Sequence, residues 1–595
     1  MARPRTAQEW IHWLEAGGGA RRIRLGAALT FTLCLSLIVA WKQFHGPVSE
    51  ATLVQADLGR QLAEGAGFTT LVNYPQAAAY LKERGVPFDP SRPYPEVYQA
   101  PLYPLVIAGA LRLLPASFRA ALFASAPVPP DGFAADYFLL ALNLALFWLA
   151  LWLTFALGRR LFGAGAGWLA AFGLLGSVPV WQQTVAVNGT VLMMVLALAA
   201  FHAWWRAESA PDLRAAAVPL AALGAVCGAL FLAEYSAGTL VLVAAAGAGV
   251  RFRNAGQGRA IAIVLAGFAL VAGPWVARNM AVTGSPVGLS IQNVALKAGD
   301  SSAEPADVRA HLTASLPRID LNKLGNKTLS SIQESLKSRM WSGGALWFSA
   351  FFVTGWLYSF RARPVDRLRW LFTISFFVLL AAQAALNSGE SDRWVAVWMS
   401  PLVIVFGAGF FFVLLGSHSI LGAWPRACAC GLLVLQALPL LHDALEPRRI
   451  HFQYPPYFPT LFQGIRRELE ARDAVGSYGL MADVPAGLAW YGHARAWEQP
   501  ARLRDFYAIT VDQPVGELLL TPRTLDRPFF SDLNARSRLP GWPAAPAQHF
   551  GDWGEVYAGL LTGALPREFP LAAPQKLAEN LYVLMNPALP PLRGK

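Results

Sequence analysis

Apolar residues in this chain gather in long runs instead of the short alternations of a soluble sheet protein. The runs lie near 25–41, 134–157, 165–180, 189–205, 215–233, 237–250, 260–277, 343–360, 370–386, 396–415 and 427–441. Read as membrane helices they give about eleven spans. A further run, Pro101–Leu114, is apolar but short, and predicts a helix lying in or dipping into the outer leaflet. The polar intervals are ordered too. Every second junction is basic: Arg159/Arg160, Arg206/Arg214, Arg251/Arg253/Arg259, Arg361/Arg363/Arg367/Arg369 and Arg426. Positive charge collects on the cytoplasmic side of membrane proteins. That places these junctions, and the basic N-terminus with Arg3, Arg5, Arg21, Arg22 and Arg24, inside. No small-residue cleavage site follows the first run, so it reads as an uncleaved span. Trp10–Leu14 before it reads as a short interfacial helix.

The remaining intervals, 42–133, 181–188, 234–236, 278–342, 387–395 and everything after 441, then face outward. The expected organisation is a cytoplasmic segment 1–24, a membrane domain 25–441 with large outward loops 42–133 and 278–342, and an extracytoplasmic domain 442–595. The first loop holds an amphipathic stretch, Ala51–Ala63, and a second helical stretch, Pro75–Arg84. In the C-terminal part, Ala474–Leu480, Gly516–Leu520 and Leu581–Met585 have strand length and pattern, which predicts a small α/β domain.

Composition agrees. Hydrophobic residues make up 55% and charged residues 14% of the 595 positions, whereas a soluble domain carries about 25% charge. The mean hydropathy is +0.39. Coiled coil, collagen, disorder and a disulfide scaffold are excluded. The net charge of +12 reads as cytoplasmic loops facing anionic lipid, not as a nucleic-acid surface. Cys34, Cys227, Cys428 and Cys430 all lie in apolar runs and read as small core residues. The chain is thus expected to be a multi-pass protein of the inner (plasma) membrane, with membrane lipids as neighbours and no nucleic-acid partner.

The motifs of soluble enzymes, from the phosphate-binding glycine loop to zinc-binding His pairs, do not occur. Candidate chemistry therefore rests on polar residues beside the hydrocarbon. Glu50 opens a predicted outward helix, and Asp57, seven residues on, can share its face; a dipole partner is the plain alternative for such an acid. Tyr98-Gln99-Ala100-Pro101-Leu102-Tyr103-Pro104 forms a rigid amphipathic corner, or simply a helix start. Gly273–Asn279 carries Arg278 at the outer end of a span, and Glu390–Trp394 carries Asp392 and Arg393. Two outward arginines suit an anion such as phosphate, with interfacial snorkelling the alternative. Glu234 is placed at an outer turn.

The order of these pieces resembles the membrane-embedded GT-C glycosyltransferases, among them protein O-mannosyltransferases and bacterial aminoarabinose transferases. The resemblance runs over residues 20–415: Glu50, the turn Gly65-Ala66-Gly67-Phe68, Pro101–Pro104, Gly158–Gly163, Pro274–Asn279, Thr283–Pro286 and Asp392–Trp394. The segment 483–492 is similar to the outward domain of some bacterial members. The resemblance implies a GT-C fold and transfer of a sugar from a polyprenyl-phosphate-linked donor to a lipid, glycan or protein hydroxyl outside the cytoplasm. It implies Glu50 as the base with Asp57 nearby, Arg278 and Arg393 holding phosphate, and Asp392, Gln99, Tyr103 and Asn188 around the substrates. Departures are visible: Glu50 stands where Asp is usual, Asn188 where many members carry a second acid, and Gln99 where His or Lys is frequent. A divalent cation is allowed, but no Asp-x-Asp pair marks a metal site. The competing readings are a polytopic transporter and an inactive GT-C-like scaffold.

Overall fold

The computed structural model describes residues 13, 18–47, 49–124, 132–254, 256–296, 305–339, 344–387, 394–417, 424–446, 459–525, 552–578 and 580–592. The chain is an α-helical polytopic membrane protein. Among the described residues eight helices are long and apolar enough to cross a bilayer: Arg22–Gln43, Ala134–Phe162, Thr190–Ser209, Leu213–Ala233, Gln257–Thr283, Arg363–Leu386, Ser400–Ser417 and Pro425–Leu445. The other three apolar runs fold differently. The run 165–180 divides into Ala164–Leu175 and Val178–Val185, bent by 57°. Pro179 sits in the first turn of the second piece, where its missing N–H does no harm but where it cannot continue the first. The runs 237–250 and 343–360 give the shorter helices Tyr235–Arg251 and Trp347–Leu357. Pro101–Leu114 gives the 11-residue helix Leu102–Arg112. Trp10–Leu14 lies outside the described residues, apart from Trp13.

Outward-facing apolar side chains such as Phe31, Trp152, Val218 and Leu270 stay exposed on the spanning helices, where acyl chains are their natural solvent. Cys227 is buried, but Cys34 and Cys430 lie on exposed helix faces instead of in the core. Helices Leu213–Ala233 and Gln257–Thr283 approach so closely that a Cβ on Gly224 would strike the Val264 carbonyl, and one on Gly267 the Ala221 carbonyl. Small residues at the crossing permit this contact, which drives helix association in lipid.

Residues of three basic junctions make polar contacts with the helix Thr190–Ser209. Arg251 Nε and Arg367 Nη1 stand 3.7 Å and 3.6 Å from the same Glu208 carboxylate oxygen, and Arg160 Nη1 lies 3.2 Å from His202 Nδ1.

The strands are β1 (Thr69–Thr70), β2 (Val72–Asn73), β3 (Tyr94–Pro95), β4 (Gly479–Ala482), β5 (Ala496–Glu498), β6 (Val515–Leu520), β7 (Ala572–Ala578) and β8 (Leu581–Met585). β1 and β3 form a small antiparallel pair. The rest make one sheet of order β2-β5-β4-β6-β8-β7. Its first four strands pair in parallel, and the last two pairings, β6 with β8 and β8 with β7, are antiparallel. The α/β unit therefore takes its edge strand β2 from the loop 42–133, with Val72 opposite Ala496 and Asn73 opposite Trp497. The strand expected over Ala474–Leu480 begins only at Gly479, because Gly476 turns the backbone at φ 86°.

A second tie joins this unit to the membrane helices. Asp136, in the first turn of Ala134–Phe162, accepts hydrogen bonds from Trp490 Nε1 at 2.8 Å and Tyr491 Oη at 3.0 Å. Phe123 and Phe133 pack edge-on against Trp490. A buried carboxylate so bonded fixes orientation, because no other placement satisfies it.

Candidate active site

The segment beginning at Ser49 folds locally for readable reasons. The Ser49 side chain caps the Glu50–Glu64 helix by accepting the Thr52 N–H, and Gly65 ends it in a left-handed turn at φ 91°. Glu50 thus occupies the first turn, where the helix dipole favours a negative charge. Its carboxylate forms an ion pair with Arg523, which reaches it from the short Pro522–Leu525 helix of the sheet unit.

Beside this pair opens a cavity of about 340 Å³, within the range of small-molecule sites. Ser49, Ala51, Thr52 and Gln55 form one wall. Tyr98, Gln99, Asn188, Glu234, Tyr235 and Arg309 supply polar groups, and Phe231, Ile291 and Leu386 supply apolar surface. The mixture suits a ligand with a charged head and a hydrocarbon neighbour.

Each wall is held from behind. Gln55 Nε2 donates to Gln99 Oε1 at 3.1 Å. Arg309 lies over the rings of Tyr74 and Tyr98, with centroids 5.2 Å and 5.8 Å away. Glu96, 1% exposed, accepts the Tyr98 and Gln99 N–H groups at 2.6 Å and 3.1 Å. Burial raises the Glu96 pKa, opposed by those bonds and by the charges of Arg278 and Arg309. Tyr235 Oη accepts from Trp275 Nε1 at 3.0 Å and donates to the Gln99 carbonyl at 3.3 Å.

The 3-10 segment Gly288–Val294 forms the remaining wall. It crosses the chain at Val97, where the Leu289 N–H donates to the Val97 carbonyl at 2.9 Å. Gly288 has φ 66°, and a Cβ there would collide with that carbonyl. Gly288→Ala should therefore cost about 1–2 kcal/mol for the left-handed backbone alone, with the collision added. The expected result is a lowered melting temperature of the purified protein; an unchanged one would mean that this crossing is not required.

The sequence-expected residues fall into three groups. Gln99 and Asn188 line the cavity. Asn188 donates to Gln183 Oε1 at 2.7 Å and accepts the Thr190 N–H at 3.0 Å. Glu50 does not line the cavity itself: it lies in the chain between lining residues Ser49 and Ala51, and its carboxylate is turned toward Arg523.

Asp57, Tyr103 and Arg278 stand behind the walls. Asp57 is fully buried, its Oδ2 accepting the Leu71 N–H at 3.4 Å. Burial, partly offset by Arg60, pushes its pKa up to about 7. Tyr103 Oη donates to the Val187 carbonyl at 2.6 Å. Val187 itself is held at φ 49°, a rare conformation for a β-branched residue. Arg278 donates to Asn279 Oδ1 at 3.0 Å and packs over Trp275 and Phe68, at 4.8 Å and 5.7 Å from the ring centroids. The Gly65–Phe68 turn and the Pro274–Asn279 segment, distant in sequence, thus meet through Phe68 and Trp275 at 4.8 Å. Asp392 and Arg393 lie outside the described residues.

Arg309 and Arg523 carried no sequence signal. Arg309 sits in a polar loop without periodicity, and Arg523 in the α/β unit, far along the chain from Glu50. Glu234 was visible at an outer turn, where it ends the Leu213–Ala233 helix. Among the described residues no cluster of three or more His, Cys, Asp or Glu is placed to hold a metal.

No protein-family model and no curated protein matches the chain in sequence. Solved structures do match in shape. ArnT from Cupriavidus metallidurans bound to undecaprenyl phosphate superposes with a TM-score of 0.51 over 96% of this chain and 99% of that one, at 11% identity. The apo oligosaccharyltransferase of Archaeoglobus fulgidus superposes with a TM-score of 0.51 over 82% of this chain and 69% of that one, at 10% identity. The chain has a GT-C fold. The overlap with ArnT extends over nearly the whole length of both chains.

Proposed function

We propose that the protein is a glycosyltransferase that moves a sugar from a polyprenyl-phosphate-linked donor to an acceptor hydroxyl on the outer side of the membrane. The observation that carries this reading is the placement of Glu50 beside a part-apolar cavity that holds a guanidinium, Arg309, in a GT-C fold. The undecaprenyl phosphate bound to ArnT points the same way.

The chemistry is coherent. The acceptor O–H gives its proton to the Glu50 carboxylate while its oxygen bonds the anomeric carbon. The bond from that carbon to the phosphate oxygen breaks, and its electron pair leaves on the polyprenyl phosphate. Arg309 offsets the charge that develops there. Gln99 and Asn188 serve as hydrogen-bonding walls for the sugar, Asp57 supports the helix that carries Glu50, and Arg278 stiffens the wall at Tyr235. Arg393 and Asp392 are proposed donor-side groups on the loop 387–395. The sugar, acceptor and carrier length are read out by glycan analysis of a deletion strain. An unchanged envelope glycan, together with no transfer from a polyprenyl-linked donor in membranes, would end this reading.

The same proposal fixes sidedness. The N-terminus and basic junctions face the cytoplasm and the α/β unit stands outside. Reporter fusions after Arg160 and after Asp443 are expected to report opposite sides; a shared side would refute it.

A further inference from the structure

The sheet unit reaches the candidate base through Arg523, and that contact is built, not incidental. Asp483 opens the segment singled out in the sequence at 483–492. Its carboxylate is 6% exposed and organises the turn that carries Arg523. Oδ2 accepts the Thr521 N–H at 3.0 Å, the Thr521 hydroxyl at 2.9 Å and the Thr524 N–H at 3.2 Å. Thr521 Oγ1 accepts the Arg523 N–H at 3.2 Å. The guanidinium is steadied from the same side, since Arg523 Nη1 donates to the Asp483 carbonyl at 3.0 Å. One buried acid therefore sets the backbone, and the backbone carbonyl beside it aims the cation at Glu50.

The same Nη1 that donates to the Asp483 carbonyl also faces Glu50. It pairs with Glu50 by charge, yet neither carboxylate oxygen has an aligned hydrogen-bond partner among the described residues. The Arg523 side chain is 23% exposed and that of Glu50 14%, with both Glu50 carboxylate oxygens buried. A guanidinium has five N–H donors in a planar fork and binds phosphate at least as readily as carboxylate. A phosphate arriving at the cavity beside Ser49 and Ala51 meets two opposed facts: the Glu50 charge repels it, and the partner of that charge attracts it.

We propose that Arg523 is a donor-phosphate ligand for which the phosphate and Glu50 compete. This deepens the glycosyltransferase reading and rests on it for the reaction, though not for binding. When the phosphate takes the guanidinium, Glu50 loses its counter-ion and becomes a stronger base just when a donor is in place. During transfer the acceptor proton goes to Glu50, and the phosphate oxygen gains the electron pair of the broken glycosidic bond. Arg523 then faces the group whose negative charge has grown. The α/β unit thus supplies part of the donor site.

The test is binding of undecaprenyl phosphate to the purified full-length protein in nanodiscs, followed by tryptophan fluorescence. Arg523→Ala is expected to raise Kd about 10-fold or more, and Arg523→Lys less, since Lys keeps the charge without the fork. Glu50→Gln removes the competitor and is expected to tighten binding several-fold. In the double variant that gain disappears, because the two groups act on one another. Melting curves identify any variant that has not folded, and Arg523→Lys carries the test if Arg523→Ala has not. A Kd unchanged in Arg523→Ala, or a gain in Glu50→Gln that persists without Arg523, overturns the proposal. A second readout is the pH profile of transfer: the acidic limb should move to higher pH in Arg523→Ala, as a carboxylate without its cation is more basic. A wild-type protein that binds the lipid but transfers no sugar would end the glycosyltransferase reading, and the binding series would still decide Arg523.

Discussion

Glu50→Gln is expected to abolish sugar transfer while the protein remains folded in the membrane. The amide has nearly the shape of the carboxylate, so the first turn of the Glu50–Glu64 helix and its Ser49 cap should persist. What disappears is the ability to accept a proton, and a missing general base costs about 100- to 10,000-fold in rate. The measurement is transfer from a polyprenyl-linked donor in membranes, with melting temperature as the control. Asp57→Asn serves as the contrast. Asp57 is buried behind the helix and bonded to the Leu71 N–H, so its loss should act on stability more than on rate. Full activity in Glu50→Gln would move the base to another group, and full activity in both variants would defeat the single-carboxylate mechanism.

Arg309→Ala is expected to lower transfer by about 100-fold, the usual scale for removing one preorganised charge-stabilising donor. Both KM and kcat should suffer, because a cation on the phosphate acts in the ground state and more strongly as charge grows on the leaving group. Arg309→Lys should recover only part, since the flat guanidinium also lies over Tyr74 and Tyr98. Arg278→Ala should weaken donor binding less. Its guanidinium is engaged with Asn279, Trp275 and Phe68, and its effect reaches the cavity through Tyr235. An Arg309 variant with wild-type kinetics would remove this residue from the donor site.

Much of the architecture was legible in the chain itself, because the features concerned are local. Run length separates a spanning helix from a surface one, and Leu102–Arg112 is short in the structure as its sequence required. Helix boundaries followed capping chemistry at Ser49 and Gly65. Two of the arginine junctions meet in the structure, with Arg251 and Arg367 on one Glu208. The motif order also pointed to the fold that the solved structures share with this chain. Hydropathy could not show that three of the eleven runs are too short or too bent to be straight spans; proline position and packing decide that.

Tertiary structure alone decided the site. Residues in an ion pair or a cavity wall need only be near in space, so no period or spacing announces them. Arg309 was one arginine in a polar loop until Tyr74 and Tyr98 held it at the cavity. Arg278 looked like an anion ligand by its place at a helix end, yet aromatic packing turned it behind the wall. Val72 and Asn73 are too few to read as a strand, and become one only because β5 offers free edge groups for them to pair with. Arg523 reached Glu50 because Asp483, Thr521 and Thr524 close a turn there. The sequence determined which segments are apolar enough to leave water, since that follows from the solvation of neighbouring residues. Which charges face one another was settled only when distant segments packed, since Coulomb attraction depends on separation in space and not on position along the chain.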